Sequence, residues 1–338
     1  MTHCLITGAS GFVGSNLATL TQARRWQTRC LVRSSSRVEQ LAPLGVELAR
    51  GSLDDPASLA AAIAGVDIVF HLAGRVAALR AEEYTHDNVE GTRRVAEACA
   101  AQSRPPVLVM VSSLAAGGPG TPWAPRRESD AEQPVSAYGR SKLAAERAAV
   151  AAAGEASVSI VRPPMVFGQG DRASLQIFRG MKFLPLHLSP GVRRFPISVV
   201  HVADLCDALM RVAEHGARVD RLAAGGSDDG KGKYYVAADR TITYGELGRL
   251  AGAAAGWAVA TLPVPKAIFW LAGSLGEAIG RIRRRPSIIN FDKVREATAK
   301  GWVCSDEKIR RELGYQPGAT LEQRFAETVA WYRRHGWL

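Results

Sequence analysis

The segment "HCLITGASGFVG", residues 3–14, joins an apolar run of strand length to the start of a helical pattern. Glycine permits a tight turn and lets the backbone approach a pyrophosphate, which is stabilised by the amides and dipole of a helix N-terminus. Glycine spacing alone is a weak signal, but at the first turn of a βαβ unit it predicts dinucleotide binding. The residues expected to contact the dinucleotide here are Gly8, Ser10, Gly11, Phe12, Val13 and Gly14.

Beyond this turn, apolar runs such as "TRCLVR", "DIVFHLAG" and "PVLVMVSS" alternate with alanine-rich segments at helical spacing. Continuous apolar strands between helices are typical of a parallel sheet buried on both faces. We therefore expect an α/β fold, a Rossmann doubly wound parallel sheet with a smaller C-terminal substrate domain. The dinucleotide-binding domain is predicted to span residues 1–165, with 197–216 and 232–237 returning to it. Residues 166–196 and 238–338, which are richer in loops, are predicted to form the substrate-binding domain.

The second strand ends in "CLVRSSSR", which places Arg33 nineteen residues after Gly14. An acidic residue at this point would accept hydrogen bonds from the ribose of NAD, whereas an arginine can pair with a 2′-phosphate. The sequence therefore favours NADP, with NAD as the alternative and Arg37 as a second cation.

The segment "VSAYGRSKLAAE", residues 135–146, places Tyr138 four residues before Lys142 on one helical face. A free tyrosine has a pKa of about 10, so a nearby cation that lowers this value makes the phenol a better proton-transfer group. The spacing suits acid–base chemistry, although an exposed helical pair with no role has the same spacing.

Composition indicates an ordinary protein with a sizeable core, since 47% of the 338 residues are hydrophobic and 22% are charged. Its five cysteines form no C-x-x-C pair, which favours reduced thiols over a disulfide framework or a zinc site. No basic segment followed by a long apolar run opens the chain. We therefore expect a cytoplasmic protein without a metal.

The net charge of +11 comes from 43 basic against 32 acidic side chains, and the arginines are spread along the chain without a nucleic-acid motif that has interleaved aromatic residues. We therefore expect no nucleic-acid partner. The apolar segment "VPKAIFWLAGSLGEAIG" is too short and too polar to span a bilayer, and basic residues follow it. Residues 264–285 are expected either to form a packing helix or to make peripheral contact with a membrane surface.

Taken in order, several motifs resemble the extended short-chain dehydrogenase/reductase family over nearly the whole chain. They are "TGASGFVG", "FHLAG", "VSSLAAGG", "YGRSK", "VRPPMVFGQGD", "VVHVADLC" and "LGYQP". The resemblance implies that Tyr138 is the general acid or base and that Ser113 shares the substrate oxygen with it. It implies that Lys142 lowers the pKa of Tyr138 and binds the nicotinamide ribose, while Ser112 turns into the fold.

The resemblance also implies a homodimer through helices near 82–102 and 134–154. Its further cofactor positions fall on Ser52, Leu53, Leu72, Ala73, Gly74, Asn88, Tyr138, Lys142, Pro163 and Val166. Ser52 departs from the aspartate that the family often has there, which puts that contact in doubt.

Two further departures bear on the substrate. Leu114 and Ala115 stand where sugar-nucleotide dehydratases of the family have Asp-Glu, and Met165 stands where sugar-nucleotide members have an asparagine. Both changes replace polar groups by apolar ones. Together with Arg193 these three residues are the expected substrate contacts.

These residues predict an NAD(P)-dependent oxidoreductase that interconverts an alcohol and a ketone on a largely apolar small molecule. Steroid-, flavonoid- and isoprenoid-like substrates are expected, as in the 3β-hydroxysteroid dehydrogenase and dihydroflavonol reductase branches. A nucleotide-sugar epimerase, with Arg193 and Arg194 holding the diphosphate, remains an alternative. A third hypothesis is a non-catalytic NAD(P)-binding scaffold.

Overall fold

The computed structural model describes residues 1–191, 195–220, 229–283 and 291–338. Its strands are β1 (His3–Thr7), β2 (Gln27–Val32), β3 (Glu47–Arg50), β4 (Ile68–His71), β5 (Val107–Val111), β6 (Val158–Arg162), β7 (Met165–Phe167), β8 (Leu186–Pro190), β9 (Pro196–Ile197), β10 (Val199–His201), β11 (Lys233–Tyr235), β12 (Ile242–Thr243) and β13 (Ala260–Val264). Its helices are α1 (Phe12–Ala23), α2 (Pro56–Ile63), α3 (Ala81–Tyr84), α4 (Gly91–Ala100), α5 (Leu114–Gly117), α6 (Ala137–Ala152), α7 (Arg172–Phe183), α8 (Val202–His215), α9 (Tyr244–Ala255), α10 (Lys266–Arg283), α11 (Phe291–Ala297), α12 (Glu307–Leu313) and α13 (Leu321–Arg334). A 3₁₀ turn at Ala42–Leu44 and a π-helical turn at Thr85–Glu90 complete the regular structure described.

The central element is a seven-stranded sheet in the order β11-β6-β5-β4-β1-β2-β3. All of its neighbouring strands are parallel. The strand order reverses direction at β1, so the carboxyl ends of β1 and β4 flank the crevice where open α/β sheets bind ligands. The prediction of a Rossmann doubly wound parallel sheet is confirmed.

Apolar side chains cover both faces of this sheet, as its continuous apolar strands require. On one face, Leu17 of α1 and Leu205 of α8 belong to the same buried cluster as Ile6 and Phe70 of the sheet. On the other, the small residues Ala145 and Ala149 of α6 let that helix pack closely against the strands. This packing fixes α6 beside the carboxyl edge of β5.

The later segments are divided between this sheet and a separate cluster. Residues 233–235 add β11 at the edge of the sheet, and α8 packs on one of its faces. In contrast, β10 pairs with β7 in a two-stranded sheet of its own. A third buried cluster joins α7, α9 and α13 through Phe178, Leu247 and Phe325. The domain boundaries given above stay predictions.

A buried ion network ties α6 to the sheet. The guanidinium of Arg162, which is 0% exposed, donates to both carboxylate oxygens of Glu146 at 2.9 and 2.6 Å and to Glu132 at 2.9 Å. Lys233 of the edge strand also donates to Glu132, at 2.8 Å. Although burial raises it, hydrogen bonds from Lys233 and Arg162 bring the pKa of Glu132 to about 2. Among the described residues, this network therefore joins the cations Arg162 and Lys233 to the carboxylates Glu132 and Glu146.

Within the described residues, no helix combines the length and the apolar character needed to cross a membrane.

Candidate active site

The glycine turn after β1 leaves no room for side chains. Gly8 has a φ of 73°, and a Cβ there would lie 2.7 Å from the amide nitrogen of Ala73. A Cβ on Gly14 would overlap the carbonyl oxygen of Gly8. Gly11 caps α1 without a side-chain hydrogen bond, so the first amides of the helix keep the orphan character of a helix N-terminus. Such a terminus attracts an anion.

A groove of about 300 Å³ opens beside this turn. Nine of the predicted cofactor residues line it: Gly8, Ser10, Gly11, Arg33, Ser52, Leu53, Leu72, Ala73 and Gly74. The motifs did not indicate eight other residues that line it: Thr7, Leu31, Ser36, Gly51, Asp54, His86, Asp87 and Gly91. The sheet brings the carboxyl ends of β1, β2 and β4 together here, so these residues meet only in the folded chain.

Other predicted cofactor residues are not among those lining the groove. Tyr138 and Lys142 are described below, and two of the rest hold the surrounding backbone. The buried Asn88 accepts a bond from the amide of Arg75 at 2.6 Å and donates to Ser141 at 2.9 Å, which fixes the loop after β4. Pro163 accepts a bond from the amide of Leu114 at 2.8 Å. The remaining members of this set are Phe12, Val13, Gly14 and Val166.

The exposed Arg33 lies at the groove, just past the end of β2. The guanidinium of Arg50 donates to the backbone carbonyl of Arg33 at 3.4 Å. Arg50 closes β3 and pairs with Val32 in register, which places it beside the end of β2. The guanidinium of Arg50 thus lies beside the backbone of Arg33, and the role of Arg37 stays a prediction.

Ser113 and Tyr138 come together from separate elements. Ser113 follows β5 and caps α5, and its hydroxyl accepts a bond from the amide of Ala115 at 3.1 Å. Tyr138 occupies the first turn of α6. Burial raises the pKa of Tyr138, while the charge of Lys293 and a hydrogen bond with Ser113 act in the opposite direction.

Lys142 lies one turn further along α6, as the spacing predicted. Its ammonium is buried and donates to the carbonyl of Val111 at 2.8 Å. It also lies 3.9 Å from the position of a Cβ on Gly74, which lines the groove. Burial lowers the pKa of Lys142 to about 8, and the charge of Glu146 opposes that shift.

The neighbouring serine has a different environment. Ser112 is buried and donates its hydroxyl hydrogen bond to Glu146. Adjacent strand residues face opposite sides, so only Ser113 faces the cavity described next.

Tyr138 lines a cavity of about 550 Å³, which shares no lining residue with the groove at the glycine turn. The predicted substrate residues Leu114, Ala115 and Met165 all line it, whereas Arg193 and Arg194 lie outside the described residues. The other lining residues, most of them apolar, are Ser113, Tyr138, Pro164, Leu188, Pro190, Phe195, Ile197, Ser198, Tyr244, Phe269, Lys293, Val294, Glu296, Ala297 and Trp302.

The charged residues of this cavity come from α11, which the motifs did not indicate. The ammonium of Lys293 lies 5.2 Å from the ring centroid of Tyr138 and donates to Glu296 at 2.8 Å. The carboxylate of Asp292 accepts bonds from the amides of Ala137 and Tyr138 at 2.7 and 2.9 Å. These partners are separated by about 150 residues along the chain, so no local spacing predicts them.

Comparison with known proteins identifies related sequences and structures. Residues 4–225 match the model of the NAD dependent epimerase/dehydratase family. The ceramide reductase of Caulobacter vibrioides is 30% identical over 334 residues, covering 98% of this chain and 95% of that protein. The 3-beta-hydroxysteroid dehydrogenase of Mycolicibacterium neoaurum is 26% identical over 350 residues, covering 97% and 90%.

A solved structure shows that the fold is also shared. The crystal structure of gox2253 superposes with a TM-score of 0.75 at 27% identity and covers 100% of both chains. The resemblance found in the sequence motifs is thereby confirmed. The chain belongs to the NAD dependent epimerase/dehydratase family, among the extended short-chain dehydrogenases/reductases.

Proposed function

We propose that this protein is an NADP-dependent oxidoreductase that interconverts a ketone and an alcohol on a largely apolar substrate. The observation that carries the proposal is the cavity of about 550 Å³, where apolar side chains surround the hydroxyls of Ser113 and Tyr138. Met165 and Leu114 contribute apolar surface to it. The names of the two relatives, a ceramide reductase and a 3-beta-hydroxysteroid dehydrogenase, also support an apolar substrate.

The groove at the glycine turn fits the proposed cofactor. The glycine backbone without side chains and the N-terminus of α1 suit a pyrophosphate, and Arg33, which lines the groove, suits a 2′-phosphate. Lys142, which lies near Gly74 of the groove and one turn after Tyr138 on α6, would hold the ribose that faces the substrate. When bound, the nicotinamide supplies or accepts the hydride.

The proton chemistry falls to this chain's own residues. In the reducing direction, Tyr138 gives its phenolic proton to the substrate oxygen while the carbonyl carbon gains the hydride, so the C=O bond becomes CH–OH. Since burial raises the pKa of Tyr138, the phenol carries its proton at neutral pH. Ser113 polarises the same oxygen, and the cations Lys142 and Lys293 stabilise the phenolate that remains.

The proposed substrate class is tested by cofactor oxidation with steroid, flavonoid and aliphatic ketones, and by calorimetry of the cofactor-loaded protein with uridine and thymidine diphosphates. We expect apolar ketones to be reduced and the diphosphates to bind weakly, because substrate phosphates without partners carry a desolvation cost. A Met165→Asn variant should lose turnover of the apolar ketone. Micromolar binding of the diphosphates without any ketone reduction would favour the epimerase, with Arg193 and Arg194 tested first. Cofactor binding without turnover of either class would favour the scaffold.

Cofactor choice gives a separate prediction. NADPH should bind more tightly than NADH, and Arg33→Asp should weaken NADPH binding on the order of 10- to 100-fold, because a charge-assisted phosphate contact becomes a repulsion. Fluorescence titration of both cofactors measures the ratio. Arg104→Asp, the same charge change at an exposed site away from the groove, is the matched control and should leave the ratio unchanged. Equal affinities in the unmodified protein would contradict the assignment.

We also propose a cytoplasmic homodimer that contacts a membrane surface through residues 264–285. Exposed apolar side chains support the contact, because Ile268 and Leu271 of α10 are more than half exposed and Leu188 pairs in register with the half-exposed Leu262. The packing of α4 against α6 supports the dimer, because it places the two helices of the proposed interface next to each other. Vesicle flotation and light scattering test the two proposals.

A further inference from the structure

The first turn of α6, which carries Tyr138, is held from a distant part of the chain. The first amides of a helix have no carbonyl partner within that helix, so another group must accept their hydrogen bonds. The amide of Gly139 donates to the hydroxyl of the N-cap residue Ser136 at 2.9 Å. The amides of Ala137 and Tyr138 donate to the two oxygens of one carboxylate, that of Asp292, at 2.7 and 2.9 Å. The backbone of Tyr138 is therefore fixed by a residue 154 positions further along the chain.

A second contact joins α11 to the same turn. The buried hydroxyl of Ser136 donates to the carboxylate of Glu296 at 2.7 Å while it accepts the bond from Gly139. The backbone carbonyl of Glu296 in turn accepts a bond from the indole of Trp302 at 2.8 Å, and Trp302 lines the cavity. The helix α11 therefore contacts both the N-cap residue and the first two amides of α6.

The place of Tyr138 within α6 makes this attachment matter for the reaction. Helix ends fray more readily than helix interiors, and Tyr138 is the second residue of its helix. Lys142, one turn further on, is anchored separately through its bond to the carbonyl of Val111. A displacement of about 1 Å in a reacting group can cost about 100-fold in rate. A group that fixes the backbone of Tyr138 therefore controls whether its phenol reaches the substrate oxygen.

Asp292 is suited to this task by its charge and by its location. A carboxylate at a helix N-terminus is stabilised by the helix dipole, and hydrogen bonds to an ionised acceptor are stronger than those to a neutral one. Asp292 is not among the described residues that line the cavity or the groove, whereas Lys293 and Glu296 of the same helix line the cavity. A change at Asp292 should therefore loosen the turn that carries Tyr138 without altering either wall.

We propose that Asp292 is a positioning residue for the proton transfer, whose carboxylate holds the first turn of α6 so that the hydroxyl of Tyr138 meets the substrate oxygen. The proposal rests on the ketone–alcohol activity proposed above and adds a residue on which the reaction depends from outside the cavity and the groove. Asp292 then acts on turnover and has little effect on the binding of the ketone or the dinucleotide.

The test compares kinetics of full-length variants with NADPH and an apolar ketone. Asp292→Ala removes both acceptors and should lower kcat on the order of 10- to 100-fold, with the KM for the ketone and the Kd for NADPH nearly unchanged. Asp292→Asn keeps one acceptor oxygen and should retain an intermediate kcat. The matched control is Asp55→Ala, because Asp55 likewise accepts two helix amides, those of Ala57 and Ser58 in α2. This control removes the same number of capping bonds and should leave kcat unchanged.

The position of the phenol can also be measured without turnover. Fluorine NMR of protein labelled with 3-fluorotyrosine reports the environment of each tyrosine ring, and Tyr138→Phe assigns the signal of Tyr138. We expect one sharp Tyr138 signal in the unmodified protein and in Asp55→Ala. The signal should be broadened or split in Asp292→Ala, because the ring then occupies more than one position.

The outcomes separate this proposal from the activity on which it rests. An unchanged kcat in Asp292→Ala would overturn the positioning role and leave the oxidoreductase proposal intact. Equal losses of kcat in Asp292→Ala and Asp55→Ala would also overturn it, because that result describes a general loss of stability. If no ketone is reduced, the fluorine spectrum decides. A disturbed Tyr138 signal in Asp292→Ala alone supports the positioning role, and an undisturbed signal overturns it.

Discussion

Tyr138→Phe is expected to lower turnover of the ketone substrate by roughly a thousandfold, within the range of general acid–base catalysis. The change removes one hydroxyl and keeps the ring, so the contacts of α6 with α11 through Asp292, which use backbone amides, are retained. Binding of the dinucleotide should change little, since the groove at the glycine turn does not include Tyr138. Single-turnover kinetics and cofactor titration measure the two effects separately.

The matched control is Tyr84→Phe. Tyr84 is buried, and its ring lies 6.2 Å from that of Tyr138, so this variant removes a second hydroxyl from the same neighbourhood. It should keep most of the activity. Substantial turnover in Tyr138→Phe would assign proton transfer to another group.

Arg162→Met is expected to lower the free energy of unfolding by about 3–5 kcal/mol, because it removes the guanidinium that pairs with the buried Glu146 and the partly buried Glu132. Denaturant unfolding at neutral pH measures the change. Restoring charge balance with Glu146→Leu in the same protein should recover part of the loss, since the pair of Glu132 and Lys233 then remains. Arg93→Met, which removes exposed ion pairs on α4, is the control and should have little effect.

The network also predicts a dependence on pH. Because the pKa of Glu132 is lowered to about 2 in the folded protein, its contribution to stability is fully present above the ordinary glutamate pKa. That contribution should be lost as the pH falls from the ordinary pKa of a glutamate towards 2. If the free energy of unfolding of Arg162→Met matched that of the unmodified protein at every pH, the network would add no stability.

The sequence predicted those features that are determined by neighbouring residues. The glycine turn, the apolar strands and the pair of Tyr138 and Lys142 each depend on residues close together in the chain, and backbone geometry fixes their arrangement. Met165, Leu114 and Ala115 were placed by resemblance, and they line one cavity. The roles of these residues remain predictions.

The features that the sequence did not predict depend on distant segments. Lys293 reaches Tyr138 through a helix more than 150 residues later, and Arg50 reaches Arg33 through strand register. Asn88 stands at a cofactor position by resemblance, yet its side chain is used within the protein to hold a loop. These contacts form only when distant segments pack together, and no repeating pattern in a single sequence indicates them.

The attachment of α11 to the start of α6 has a consequence for redesign. Residues 291–297 contribute cavity wall and also supply the acceptors for the backbone of Ala137 and Tyr138. Exchanging the C-terminal portion with that of another family member would therefore change substrate preference and disturb the reacting phenol at the same time. A functional chimera would need to transfer 291–297 together with 136–138 as one unit, so the chain is less modular than its division into two predicted domains implies.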